Sequence, residues 1–132
     1  MALEICTTQD VEKLFENKVK ELPNRDNTKS YIIGVFKDVK KKHNFSNESI
    51  TLIFAKAKSE NKFELFQALG DWILFTESMY PQHLKYASKD YYFAIAQISY
   101  FRCYRLINKT WDLFEELSDD FPRIVSKLQK QF

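Results

Sequence analysis

YYFAIAQISYFRCYRLI, residues 91–107, is the stretch on which the fold turns. Thirteen of its seventeen residues are apolar or aromatic. A surface helix needs an apolar stripe on one side only, so a segment this greasy predicts a helix with neighbours on more than one side. Its cleanest stripe is Tyr92, Ala96, Tyr100, Cys103 and Ile107, at three- and four-residue spacing, with Phe93 and Tyr104 beside it. Gln97, Ser99, Arg102 and Arg105 interrupt the stretch, and it is shorter than the ~20 apolar residues that span a bilayer. Ser88 stands where a helix cap belongs, and Asp90 falls in the first turn, where a carboxylate favours the helix dipole. The expectation is the central, aromatic-rich helix of an all-α bundle.

Five further helices are expected around it. Thr7 or Thr8 caps the first, which carries Val11, Leu14, Phe15, Val19 and Leu22 and stops at Pro23, before a polar turn over residues 24–27. The second covers residues 30–42. Its YIIGVF core has strand-like composition, but the helical spacing continues to Val39, and Lys40, Lys41, Lys42 and His43 suit a helix C-terminus. Ser46 or Asn47 opens a short third helix with Ile50, Ile53, Phe54 and Ala57, while residues 58–62 read as a turn or as exposed helix. The fourth, about residues 63–79, presents Phe63, Phe66, Leu69, Ile73 and Phe75 and ends at Tyr80-Pro81, because a residue before proline is pushed out of the α region. The last begins near Thr110, with Phe114, Leu117, Phe121, Ile124 and Leu128 on one face. Pro122 inside it predicts a kink, or else a second helix capped by Asp120.

The 132 residues, with 45% hydrophobic and 16% aromatic content, make one domain, 1–132, with a real core. Two Gly and three Pro are too few for the tight turns of a β-sandwich. A formal charge of +2 lacks the concentrated positive excess of a nucleic-acid binder. Cys6 and Cys103 do not form a disulfide framework and read as free thiols. The N-terminal ten residues lack the pattern of a signal peptide, and the expected location is the cytoplasm, with no membrane span.

Few residues suggest chemistry. Glycine costs ~1 kcal/mol relative to alanine inside a helix, so Gly70-Asp71 suggests close approach of another helix, with Asp71 anchoring a polar neighbour. A solvated face shared with Glu64, Gln67 and Ser78 is the plainer alternative. Arg102 and Arg105 suggest pairing with a carboxylate such as Asp71 or Glu115, snorkelling to solvent, or an anionic ligand. Tyr100 and Tyr104, with Tyr91, Tyr92 and Phe101, could form a stacking platform, although aromatics at helical spacing more commonly build a core. Lys37 and Lys40–His43 form the one basic cluster. His43 and His83 lack the neighbours a metal motif requires, and neither paired Glu-x-x-His sequences nor a Gly-rich phosphate loop is present. A helical ribonuclease of the HEPN type would place histidine shortly after Arg102, where Asn108 stands. Catalytic residues, metal ligands and cofactors are therefore not assigned.

Leu69-Gly70-Asp71, Leu74-Phe75, Tyr80-Pro81, Asp90-Tyr91-Tyr92 and Tyr100, followed by the amphipathic last segment, resemble a family of uncharacterised bacterial all-helical proteins. The chain departs from that pattern at Ser78 and at Ala96-Gln97, where the family tends to carry glycine. The resemblance covers a little under half the chain and implies a compact helical domain with no known activity. The functional expectation is a non-enzymatic interaction or regulatory module with a protein partner, a second copy included. The alternative is a small-molecule or nucleic-acid binding module using Arg102, Arg105 and neighbouring tyrosines.

Overall fold

A computed structural model describes residues 8–42, 47–84, 87–108 and 111–129. Among them are six helices, α1 (Thr8–Lys20), α2 (Asp26–Lys42), α3 (Asn47–Glu60), α4 (Phe63–Met79), α5 (Lys89–Leu106) and α6 (Asp112–Gln129), with one 3-10 turn at Pro81–His83 and no strand. The all-α bundle anticipated from the sequence is what the chain forms. The Thr7 cap, Cys6, His43 and Ser46 lie outside the described residues, as do the side chains of Lys40, Lys41 and Lys42.

Local chemistry accounts for most boundaries. Ser88 Oγ accepts the Tyr91 N–H at 3.2 Å, opening α5 as its cap. Asn61 (φ 53°) and Asn108 (φ 56°) follow α3 and the last turn of α5 in the left-handed conformation, which asparagine tolerates better than most residues. Asn61 also settles the 58–62 segment: it is helix to Glu60, then a turn. YIIGVF is helical, but α2 begins at Asp26, four residues before the expected Ser30. The cause is tertiary. Arg25 N–H donates to Glu116 Oε1 at 3.1 Å, its guanidinium bonds Asp112 Oδ2 at 3.1 Å, and Asn24 Nδ2 donates to Asp120 Oδ2 at 3.1 Å. The α1–α2 turn is thus held on the acidic side of α6, leaving Asp26 free to open the helix.

The layers assemble around α4. It touches α2, α3, α5 and α6, while α1 packs on α2 through Phe15 and Phe36, whose ring centres are 3.8 Å apart. Phe36 in turn meets Phe75 of α4 edge-on. α5 lies between α4 and α6, as a helix with two-sided contacts should, and buries Tyr92, Ile95, Ala96, Ser99, Tyr100 and Cys103. Burial nevertheless reaches further round α4, where Phe66, Ala68, Leu69, Gly70 and every residue from Ile73 to Ser78 are enclosed. α5 keeps an exposed side.

α6 runs without interruption through Pro122, so Asp120 caps no second helix. Proline has no N–H to give the carbonyl four residues back, here Ser118. Gln97 of α5 supplies the missing donor: its Nε2 bonds Ser118 O at 2.9 Å, and Ser118 Oγ returns a bond to Gln97 O at 2.7 Å. A reciprocal α5–α6 contact therefore replaces a bond internal to the helix. The apolar face of α6, from Leu113 to Leu128, is buried.

Candidate functional site

Asp71 is the acceptor at the meeting point of three helices. Tyr31 of α2 donates its hydroxyl to Asp71 Oδ1 at 2.8 Å, with Oδ2 at 3.0 Å, and Tyr100 of α5 donates to Oδ1 at 2.8 Å. One turn earlier on α4, Gln67 Nε2 donates to the Tyr31 oxygen at 3.0 Å. The Phe114 ring of α6 closes the cluster, edge-on to Tyr31 at 5.4 Å and tilted against Tyr100 at 6.2 Å. Gly70 makes the arrangement possible. A Cβ there would lie 2.7 Å from Tyr100 Cε1 and 2.8 Å from Cζ, so only a glycine lets that ring lie on the α4 backbone and reach the next residue. Burial, and then the Asp71 charge, push both phenols well above their ordinary range. They remain donors near neutral pH and cannot serve as proton acceptors there. Cys103, also buried, is held as a thiol by the same two causes in the same order. The cluster ties α2, α4 and α5 together through hydrogen bonds that are partly shielded from water.

The arginines are elsewhere. Arg102 and Arg105 are exposed, and neither belongs to an ion pair among the described residues. The Arg102 guanidinium carbon lies 5.9 Å from the centre of the Phe66 ring, its stem lying along the bundle while the charge faces water. Tyr104 is half-buried beside Phe101, with ring centres 6.3 Å apart, and its phenol is pushed up by burial and by the Glu115 and Asp112 charges. Of the five residues singled out in the sequence, Asp71 and Tyr100 are brought together. Arg102 and Arg105 lie apart from them on the outer side of α5.

That outer side is the notable surface. Tyr91 (37% exposed), Ile98 (43%) and Phe101 (41%) share it with exposed Ala94 and Arg105. Residues 91, 94, 98, 101 and 105 follow a three–four spacing, so they form one line along the helix. The Tyr91 and Thr51 hydroxyls, 2.7 Å apart, link the N-terminal end of this line to α3, where the next residue, Leu52, is 72% exposed. The periodicity of α5 was legible in the sequence. Its second, unpartnered line was hidden by the density of apolar residues on all sides.

The remaining polar groups offer little chemistry. An open hollow of about 180 Å³ is lined by Asp112, Glu115, Glu116, Asp119, Asp120 and Arg25. Arg25 pairs with two of these carboxylates, Asp112 and Glu116, and no group of three ligands suited to a metal occurs among the described residues. Lys37 of the basic cluster is paired with Glu16 at 2.8 Å. His83 is exposed and stacked on Tyr80, while the hydroxyls of Thr76, Ser78 and Ser99 are buried, so none has the adjacent base a nucleophile needs. No helix among the described residues is long and apolar enough to cross a membrane.

Among the described residues, fold and site together define a six-helix bundle stitched by a partly buried aspartate–tyrosine cluster and carrying an exposed apolar line on α5. No family model, no curated protein and no solved structure matches the chain.

Proposed function

We propose that this protein is a non-enzymatic interaction module that docks a partner protein on the outer line of α5. One observation supports it most: Tyr91, Ile98 and Phe101 remain exposed in a continuous row on a helix whose other sides are packed. Single exposed apolar residues are ordinary, but an aligned row spanning nearly three turns resembles the seam of a helix-to-helix contact. Flanking charges, Asp90 before the row and Arg102 and Arg105 at its end, give the seam a polar rim. Asp71, Tyr31 and Tyr100 are spent on one another inside the bundle, whereas this row faces outward.

The test places a photo-reactive amino acid at position 98 in cells that make the protein. The expected result is a discrete adduct, lost when Phe101→Asp is added and not formed from a control at exposed Ser126. The captured protein, once purified, should slow amide exchange over residues 94–105 of the bundle. Absence of any adduct that depends on Phe101 would refute the reading.

A further inference from the structure

The outer line of α5 carries information about its occupant. Asp90 stands at one end and Arg105 at the other, fifteen residues apart or about 22 Å along the helix. Between them lie small Ala94 and large Phe101, both exposed. The midpoint of the Asp90–Arg105 pair falls between Gln97 and Ile98. The midpoint of the Ala94–Phe101 pair falls in the same place. A twofold axis passing beside α5 at that level brings unlike to unlike twice in a single register.

We infer that the partner is a second copy of this chain, its α5 packed antiparallel on the first about a twofold axis beside Ile98. This rests on the interaction reading above and names its occupant. In that arrangement Phe101 covers Ala94 of the second copy, Arg105 reaches Asp90 of the second copy, and the two Ile98 side chains meet near the axis. Because the contact is isologous, every pairing of unlike residues occurs twice. A parallel pairing would instead set Asp90 against Asp90, Arg105 against Arg105 and Phe101 against Phe101. Both the charges and the side-chain volumes therefore select the antiparallel form. Tyr91, held by Thr51 of α3, closes one end of the seam, and Arg102, whose guanidinium lies over Phe66, flanks it. One helix pair of this length lies below the ~1,200 Å² typical of tight complexes, so the dimer is a weak one that forms at micromolar concentrations and above.

Sedimentation equilibrium of the full chain over a wide concentration range tests this directly. The wild type should pass from monomer to dimer, and Ile98→Asp should stay monomeric with unchanged helical circular dichroism. Asp90→Arg alone and Arg105→Asp alone should each weaken association about tenfold, because each sets like charges together at two places. The double variant Asp90→Arg/Arg105→Asp exchanges the charges at both ends and should recover most of that loss. A larger aggregate, a dimer indifferent to Ile98→Asp, or a double variant as weak as the singles would overturn the antiparallel twofold. A chain monomeric at every concentration, but still cross-linked from position 98 to a different protein, would overturn the self-pairing and leave the interaction reading standing. A monomer with no such adduct would remove both.

Discussion

The two glycines should answer the same substitution with opposite signs. Both are in helix interiors, where replacing glycine with alanine ordinarily gains ~1 kcal/mol through backbone entropy and propensity. At Gly34 a Cβ would meet nothing within 4 Å, so Gly34→Ala should show that gain. At Gly70 the new Cβ would lie 2.7 Å from the Tyr100 ring, a side chain with 0% exposure and nowhere to retreat. Overpacking of this kind costs about 1–3 kcal/mol. Displacing the ring also strains its 2.8 Å bond to the Asp71 carboxylate, and hydrogen bonds to charged groups are worth about 1.5–3 kcal/mol. Set against the propensity gain, the net effect of Gly70→Ala is a loss of about 2–3 kcal/mol. For a domain of this size each kcal/mol moves the midpoint by about 4 °C, so thermal unfolding should place Gly34→Ala a few degrees above wild type and Gly70→Ala about 10 °C below it. Tyr100→Leu removes the clash, so it should cost less in the Gly70→Ala background than alone, a coupling that a double-mutant cycle measures. If Gly70→Ala stabilised the protein as Gly34→Ala does, the close approach of α4 and α5 described above would be wrong.

Two further predictions follow from buried polar groups. Gln97→Ala strips the donor from the Ser118 carbonyl and should cost about 1–2 kcal/mol in urea denaturation; in a Pro122→Ala background, where residue 122 regains its N–H, the same change should cost distinctly less, and equal costs would refute the compensation. Glu77 is 3% exposed, and burial, opposed in part by the Lys89 charge, raises its carboxyl from 4.5 to about 7. The fold thus holds this proton more tightly than the unfolded chain does, so the contribution to stability is complete below 4.5 and is lost as pH rises through about 7. The loss amounts to about 3 kcal/mol at most, and Glu77→Gln should flatten the stability profile between pH 4.5 and about 7.

How far the sequence carried can be judged from particular residues. α5 was readable because a cap, a dipole-favourable carboxylate and a stripe of uniform spacing all point the same way. Gly70-Asp71 was readable because glycine in a helix carries a cost that a close contact offsets. The partner of Asp71 on α2 was not: Tyr31 stands 40 residues away, and nothing in its neighbourhood distinguishes a phenol that donates inward from one that merely packs. The start of α2 was missed for a related reason, since Asn24 and Arg25 resemble an ordinary polar turn until α6 supplies the carboxylates that hold them. A signal did exist for Gln97. A proline in an amphipathic helix orphans a known carbonyl, and an amide interrupting the neighbouring apolar helix is the donor to look for. Arg102 and Arg105 carried no such signal, because a long cationic side chain on an apolar helix satisfies the same pattern whether it pairs inside or reaches water.

The placement of the polar contacts bears on the functional reading. Asp71 is taken by two phenols, the Pro122-orphaned carbonyl by Gln97, and the acidic turn of α6 by Arg25. Each answers a need created by the fold itself, and each joins separate elements of the bundle. A catalytic site departs from that economy, because it must keep an acid, a base or a nucleophile unsatisfied until substrate arrives. Among the described residues Glu77 is the buried acid whose charge is opposed by burial and helped only in part, by Lys89. The unsatisfied surface lies outside, where apolar area along α5 stays in contact with water at roughly 25 cal/mol for every Å² that a partner could cover. The proposal of recognition by burial rests on that surface, and the shared midpoint of its charges and volumes is the reason a second α5 is the occupant we propose.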